Sequence, residues 1–125
     1  MNVPENLLFT DEHEWVNIDD NIAIIGITDY AQGELGDIVF IEFPDVNSIF
    51  KKGESIGTIE AVKTVADIYI PISGKIVELN DALNDRPETV NNYPFNDGWI
   101  LKLQITDMDE VSDLMDLEKY KTFIS

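Results

Sequence analysis

The apolar positions of this chain come in short runs separated by turn residues, a spacing that predicts strands. Asn21-Ile22-Ala23-Ile24-Ile25-Gly26-Ile27 is an Ile-rich run closed by Thr28 and Asp29. Ile38 to Phe43 is a second, stopped by Pro44-Asp45, and Glu54 to Glu60, Val65 to Ile70 and Lys75 to Leu79 follow. Trp99 to Ile105 alternates apolar and polar residues in its second half. Six or more short strands at close spacing point to a sandwich or barrel. Two segments break the pattern. Thr28 to Leu35 predicts a short helix, with Thr28 able to cap its start and Gly36 to close its end. Asp107 to Ile124 predicts a C-terminal helix capped by Thr106 or Asp107. Its apolar stripe would be Val111, Leu114, Met115, Leu117 and Tyr120, with Lys119 and Lys121 in the last turns. Asn80 to Asn92 is the one long irregular stretch, and a loop of that length is often functional.

The length of 125 residues suits one domain, residues 1–125, and no linker or repeat marks a second. Charge changes the picture more. Twenty-five Asp and Glu against eight Lys and Arg give a formal net charge of −17. Nucleic acid and anionic membrane surfaces are therefore poor partners, since both need clustered cations. Such a chain associates faster with positively charged protein surfaces, although solubility alone accounts for the acids equally well. There is no cysteine, which excludes disulfides, thiol catalysis and iron–sulfur clusters, and the single histidine excludes a multi-His metal site within one chain. No segment approaches the ~20 apolar residues of a membrane span. Met1 to Thr10 resembles neither a signal nor a transit peptide, so a cytoplasmic location is expected.

Motifs for phosphate loops, calcium loops and nucleophile elbows are absent. His13, between Glu12 and Glu14, fits a structural or surface role better than catalysis. The informative residue is Lys63, the only cation between Lys52 and Lys75. It falls between two β-like runs, in Glu60-Ala61-Val62-Lys63-Thr64-Val65-Ala66-Asp67. A tight connection there places it at a hairpin tip made without the usual Gly, Asn or Asp. An ordinary exposed lysine and a lysine displayed to a modifying enzyme both fit this spacing. A cofactor tethered at such a tip would gain effective concentration at a partner's active site.

Several segments in order resemble one family. They are His13-Glu14-Trp15-Val16; Gly26-Ile27-Thr28-Asp29-Tyr30-Ala31-Gln32 with Leu35-Gly36-Asp37-Ile38-Val39; Glu60-Ala61-Val62-Lys63 with Asp67; and Pro71-Ile72-Ser73-Gly74. Asn80, Leu83, Pro87, Val90-Asn91, Pro94 and Gly98-Trp99 continue the pattern. The chain resembles the H proteins of the glycine cleavage system, within the lipoyl- and biotinyl-carrier fold. The resemblance implies a mainly β barrel-sandwich hybrid of small antiparallel sheets with a short helix and a C-terminal helix. It implies a carrier, not an enzyme, with lipoic acid joined to Lys63 as an amide. The carrier would take the aminomethyl group of glycine from a pyridoxal-phosphate glycine decarboxylase (P protein) to a tetrahydrofolate-dependent aminomethyltransferase (T protein). Dihydrolipoyl dehydrogenase (L protein) and a lipoylating enzyme complete the implied partners. Glu60 is implied to help the lipoylating enzyme recognise the hairpin, and Glu14 and Asp67 to lie near the docked, loaded arm. Strand alternation supports part of this: Ala66, Ile68 and Ile70 share an apolar face and Asp67 points the other way, roughly 13 Å along the strand from Lys63. The nearest rival is a lipoyl carrier or relay for 2-oxoacid dehydrogenases, which would keep the same lysine. A biotin carrier fits less well, because Val62 and Thr64 flank Lys63 where that family has Met. An unmodified acidic β-domain that only binds proteins is the rival from another class.

Overall fold

The computed structural model describes residues 6–125. Residues 1–5 of the N-terminal stretch considered for a leader lie outside that range. Among the described residues, nine strands alternate with short helices: β1 (Leu8–Phe9), β2 (Glu14–Asp19), β3 (Ile22–Ile27), α1 (Asp29–Leu35), β4 (Ile38–Glu42), β5 (Ile49–Phe50), β6 (Ser55–Ala61), β7 (Val65–Tyr69), β8 (Gly74–Leu79), α2 (Thr89–Asn92), β9 (Leu101–Ile105) and α3 (Leu117–Ile124). Short 3-10 turns cover Asp81–Asn84 and Met108–Asp113. The strands form two antiparallel sheets, one ordered β1-β2-β3-β9-β8-β5 and one ordered β4-β6-β7. The expected mainly β sandwich of small antiparallel sheets is thus observed.

The Ile-rich runs form strands because each supplies inward side chains to one core. Ile25, Ile59, Ile68, Ile70, Ile72, Ile76 and Ile100 are essentially without solvent contact. Burying such a side chain is worth about 1.5–3 kcal/mol. The ion pairs Lys52–Asp113 and Lys102–Glu78 are partly exposed, and such pairs contribute about 0–1 kcal/mol. Apolar burial therefore holds the sheets together. A second cluster of Leu7, Phe9, Trp15 and Tyr120 seats α3. Trp15 lies across Gly26, where any Cβ would stand 2.6 Å from the indole, and its ring N–H donates to Pro94 O at 2.9 Å.

Helix α1 matches its expected bounds, with Thr28 Oγ1 accepting from Ala31 N–H and Gly36 closing the end. The C-terminal expectation needs correction. Asp107 to Ile124 is not one helix: the 3-10 turn ends at Asp113, and α3 begins only at Leu117. Asp107 and Ser112 bond to their own local backbone, and Asp116 accepts from Lys119 N–H to start a new helix. Between the two, Met115 exchanges both backbone hydrogen bonds with Phe9, at 2.8 Å each, and covers the edge of β1. The long stretch from Asn80 is also less irregular than expected, holding a 3-10 turn and α2.

Candidate functional site

The β6–β7 hairpin pairs Thr58 with Asp67, Ile59 with Ala66 and Glu60 with Val65. Beyond the last pair, Ala61 N–H donates to Thr64 O at 2.8 Å, and exposed Val62 and Lys63 turn the corner. Among the described residues, positive φ at a non-glycine occurs only at His13, Asp20 and Asn47. The tip therefore lacks the left-handed residue that two-residue hairpins favour. It is held from the side instead. Val62 N–H donates to Asp37 O at 2.9 Å, fixing the tip to the loop after α1. Gly36 in that loop has φ 81°, and the Lys63 stem lies over it: a Cβ on Gly36 would stand 3.2 Å from Lys63 Cε. Asn91 of α2 braces the same loop. Its Oδ1 accepts from Ile38 N–H at 3.0 Å, and its Nδ2 donates to Gly36 O at 2.8 Å and Gln32 Oε1 at 2.9 Å.

Beside this hairpin lies an open cleft of about 460 Å³. Its walls come from the β1–β2 turn, α1 and the edge of β7, and Glu14 and Asp67 both line it together with Glu12, Glu34, Tyr30 and Tyr69. Glu14 is buried, at 3% exposure. Its Oε1 accepts from Thr10 Oγ1 at 2.7 Å, and its Oε2 accepts from Tyr69 N–H, an edge donor of β7, at 3.3 Å. Burial is the largest influence on this carboxyl and outweighs the two hydrogen bonds, raising its pKa from 4.5 to about 7. Asp67 is exposed, accepts from Ser55 Oγ at 3.2 Å and pushes the Tyr69 hydroxyl pKa up. A cleft carrying these four acids can hold a cationic group such as an ammonium. No cluster of His, Asp and Glu among the described residues could hold a metal, and no helix there is long and apolar enough to cross a membrane.

A family model described as glycine cleavage H-protein matches residues 7–125. The chain belongs to that family. Glycine cleavage system H proteins from Bacteroides thetaiotaomicron and Listeria monocytogenes are similar to it. The first is 47% identical over 125 residues, covering 100% of this chain and 99% of the relative. The second is 50% identical over 121 residues, covering 97% of each. Among solved structures, a glycine cleavage system H protein from Mycobacterium marinum superposes with a TM-score of 0.89 at 36% identity, covering 96% of this chain and 97% of that one.

In this family member the four sequence-derived site residues occupy three places. Lys63 is at the hairpin tip, and Glu14 and Asp67 share the cleft. Glu60 is half-buried one pair below the tip, between Phe40 of β4 and Val65 of β7, and does not line the cleft. Ile68 and Ile70 are buried as alternation requires, whereas Ala66 is only half-buried because the cleft opens beside it. His13 has a structural setting. Its Nδ1 meets Tyr120 Oη at 2.9 Å, and that hydroxyl also meets Thr28 Oγ1 at 2.7 Å. Sequence reasoning missed Thr10, which orients Glu14, and gave Asn91 no role. The one available signal was that Asn91 stood in a recognisable segment without chemistry of its own.

Proposed function

We propose that the chain is a lipoyl carrier of the glycine cleavage system, working as one domain over residues 1–125, with lipoic acid attached to Lys63 as an amide. The observation that carries this reading is an exposed lysine on a braced tip beside an acidic cleft, in a chain of this family. The residues fit the group. Lys63 is open to an acylating enzyme, and the missing Cβ of Gly36 leaves its stem a bed. When bound, the dithiolane supplies the electrophilic sulfur that accepts the aminomethyl group from the glycine decarboxylase and presents it to the aminomethyltransferase, before the dehydrogenase restores the disulfide. The chain itself does no bond-making in that sequence. The brace at Asp37 and Asn91 fixes where the arm starts. Glu14 and Asp67 offer carboxylates to the amine of the cargo and favour its protonated form, a weaker nucleophile. Glu60 belongs to recognition of the hairpin by the lipoylating enzyme.

Intact mass of the protein from its native cells tests the reading: one lipoyl adduct, mapped to Lys63, is expected. A reconstituted glycine decarboxylation assay then separates this role from service to 2-oxoacid dehydrogenases. Unmodified protein, or an adduct active only with a 2-oxoacid dehydrogenase, overturns the proposal.

A further inference from the structure

On the β4-β6-β7 sheet, strand alternation fails once near the lysine. Ile38 pairs with Ala61 and Phe40 pairs with Glu60, so β4 sets Val39 and Phe40 against a single step of β6. A bulge of this kind re-aims side chains, and bulges are over-represented beside functional sites. Ile38 and Ile41 are buried, while Val39 and Phe40 between them are 53% and 48% exposed. Regular alternation would have sent one of the two inward. Gly57 lets β4 and β6 approach just below, since a Cβ there would collide with Glu42 O. Glu60 pairs in turn with Val65, so Phe40, Glu60 and Val65 stand side by side across three strands. Val65 is 60% exposed, and Val62, next to Lys63 in the turn, is 75% exposed. Single exposed apolar residues need no explanation. Four gathered around one carboxylate, on the hairpin that carries the only cation between Lys52 and Lys75, form a patch of the kind that marks an interaction site.

We infer that this face, Val39, Phe40, Val62 and Val65 around Glu60, is the docking surface for the enzyme that acylates Lys63. The inference rests on the reading of Lys63 as the lipoylated residue. In that step the Lys63 ammonium sheds two protons, its nitrogen bonds to the carbonyl carbon of a lipoyl adenylate, and the bond from that carbon to the phosphate oxygen breaks, releasing AMP. Nζ must therefore enter the acylating enzyme's active site, and that enzyme must cover what surrounds the turn. The partner presents apolar surface to Phe40 and Val65 and a cation opposite Glu60, complementary to a chain of net charge −17.

The test uses the full chain with a lipoate–protein ligase, lipoate and ATP. Val39→Thr combined with Phe40→Ser should raise the KM of the ligase for the carrier about tenfold, as loss of one central contact does, with kcat within about twofold. Val65→Thr alone should move KM the same way by a smaller factor, which keeps the test sound if the double variant folds poorly. Ile49→Ser with Val77→Thr removes apolar surface of similar exposure elsewhere and should leave KM at the parent value. After prolonged incubation to full lipoylation, the β4 variant should support glycine decarboxylation like the parent. Parent KM in both β4 and β7 variants overturns the inference. So does a defect confined to decarboxylation, which would assign the face to the decarboxylase, or self-association of the parent through it with KM unchanged, which would assign it to a second copy. If the parent itself takes no adduct at Lys63, the functional reading fails. If the parent is acylated and the variants match it, only the docking surface fails.

Discussion

Two tight hairpins of this molecule are closed by opposite means. Between β2 and β3, Asp19 pairs with Ile22, and Asp20 and Asn21 turn the corner. Asp20 takes φ 59°, a conformation that Asp and Asn tolerate better than other side chains, and the turn is polar and exposed. Between β6 and β7 the corner is Val62 and Lys63, neither with positive φ, and the tip is fastened to the α1–β4 loop through Val62 N–H and Asp37 O. One turn is closed by its own chemistry, the other by support from distant parts of the chain. Turn propensity is relaxed where the tip is held from outside. The two hairpins also touch. Glu14 starts β2, and its carboxylate takes an edge N–H of β7.

The comparison breaks most sharply at Lys63. Lys63→Arg keeps the charge and the fold but cannot form a lipoyl amide, so glycine decarboxylation and exchange should fall to background with the thermal midpoint unchanged. Lipoylation at another lysine, or activity near that of the parent, contradicts the assignment.

The next largest effect falls on Glu14, where the hairpins meet. Its carboxyl is raised from 4.5 to about 7 by burial. Well below pH 4.5 it is protonated in both folded and unfolded chains, and well above about 7 it is ionised in both. In between, the folded chain holds the extra proton, so stability from this group falls as pH rises from about 4.5 to about 7 and stays low above. The penalty at alkaline pH is on the order of 3 kcal/mol. Glu14→Gln removes the charge and keeps one acceptor oxygen, so it holds one of the two hydrogen bonds, from Thr10 Oγ1 or from Tyr69 N–H, as the protonated carboxyl does. Its stability relative to the parent should rise by up to that amount between pH 4 and pH 8. Equal differences from the parent at both pH values in denaturant titrations would show that the carboxyl is not perturbed.

Asn91 sharpens the contrast directly. Asn91→Asp keeps the acceptor for Ile38 N–H but sets a carboxylate oxygen against Gly36 O and Gln32 Oε1. Leaving such groups unpaired costs about 1–3 kcal/mol. Amide hydrogen exchange at Val62 should accelerate, whereas exchange at the β2–β3 turn should not change. Uniform acceleration across both hairpins would mean that Asn91 supports the whole fold rather than the tip. Glu60→Ala follows. Stability should move by less than about 0.5 kcal/mol, while lipoylation slows several-fold. Unchanged lipoylation kinetics would remove Glu60 from recognition.

What could be read from the chain in advance follows the same division. The Ile runs and α1 were legible because each is decided locally, by alternation or by the caps Thr28 and Gly36. The place of Lys63 at a hairpin tip was legible because two strand-like runs flank it, although its spacing alone fitted an ordinary exposed lysine equally well. Strands β1 and β5 have two residues each, too few to show a period. The C-terminal segment was misread because Met115 is drawn out of a helical stripe by the open edge of β1, which no local pattern reports. The raised pKa of Glu14 depends on burial beside β7, and its second hydrogen bond comes from a residue 55 positions away. The brace on the lysine tip likewise depends on Asn91, which lies 53 positions from Ile38. Where an element is held by distant groups, its residues look unremarkable in the chain.

The smallest effect should fall on the hairpin that closes itself. Asp20 is exposed, makes no side-chain hydrogen bond with the described residues, and holds φ 59° at the first turn position. Asp20→Gly removes the cost of a side chain in that conformation but loosens the unfolded chain, two terms of opposite sign and each below about 1 kcal/mol. The net change should be a few tenths of a kcal/mol at most. Lipoylation kinetics should match those of the parent, since nothing in this turn reaches Lys63. Asp20→Val should cost more, about 1–2 kcal/mol, because a β-branched residue resists the left-handed region. Val62→Thr, on the other hairpin, should leave stability nearly unchanged, because its anchor is the backbone N–H and not the side chain. If Asp20→Val is as benign as Val62→Thr, the first turn is also held from outside, and the distinction between the two hairpins fails.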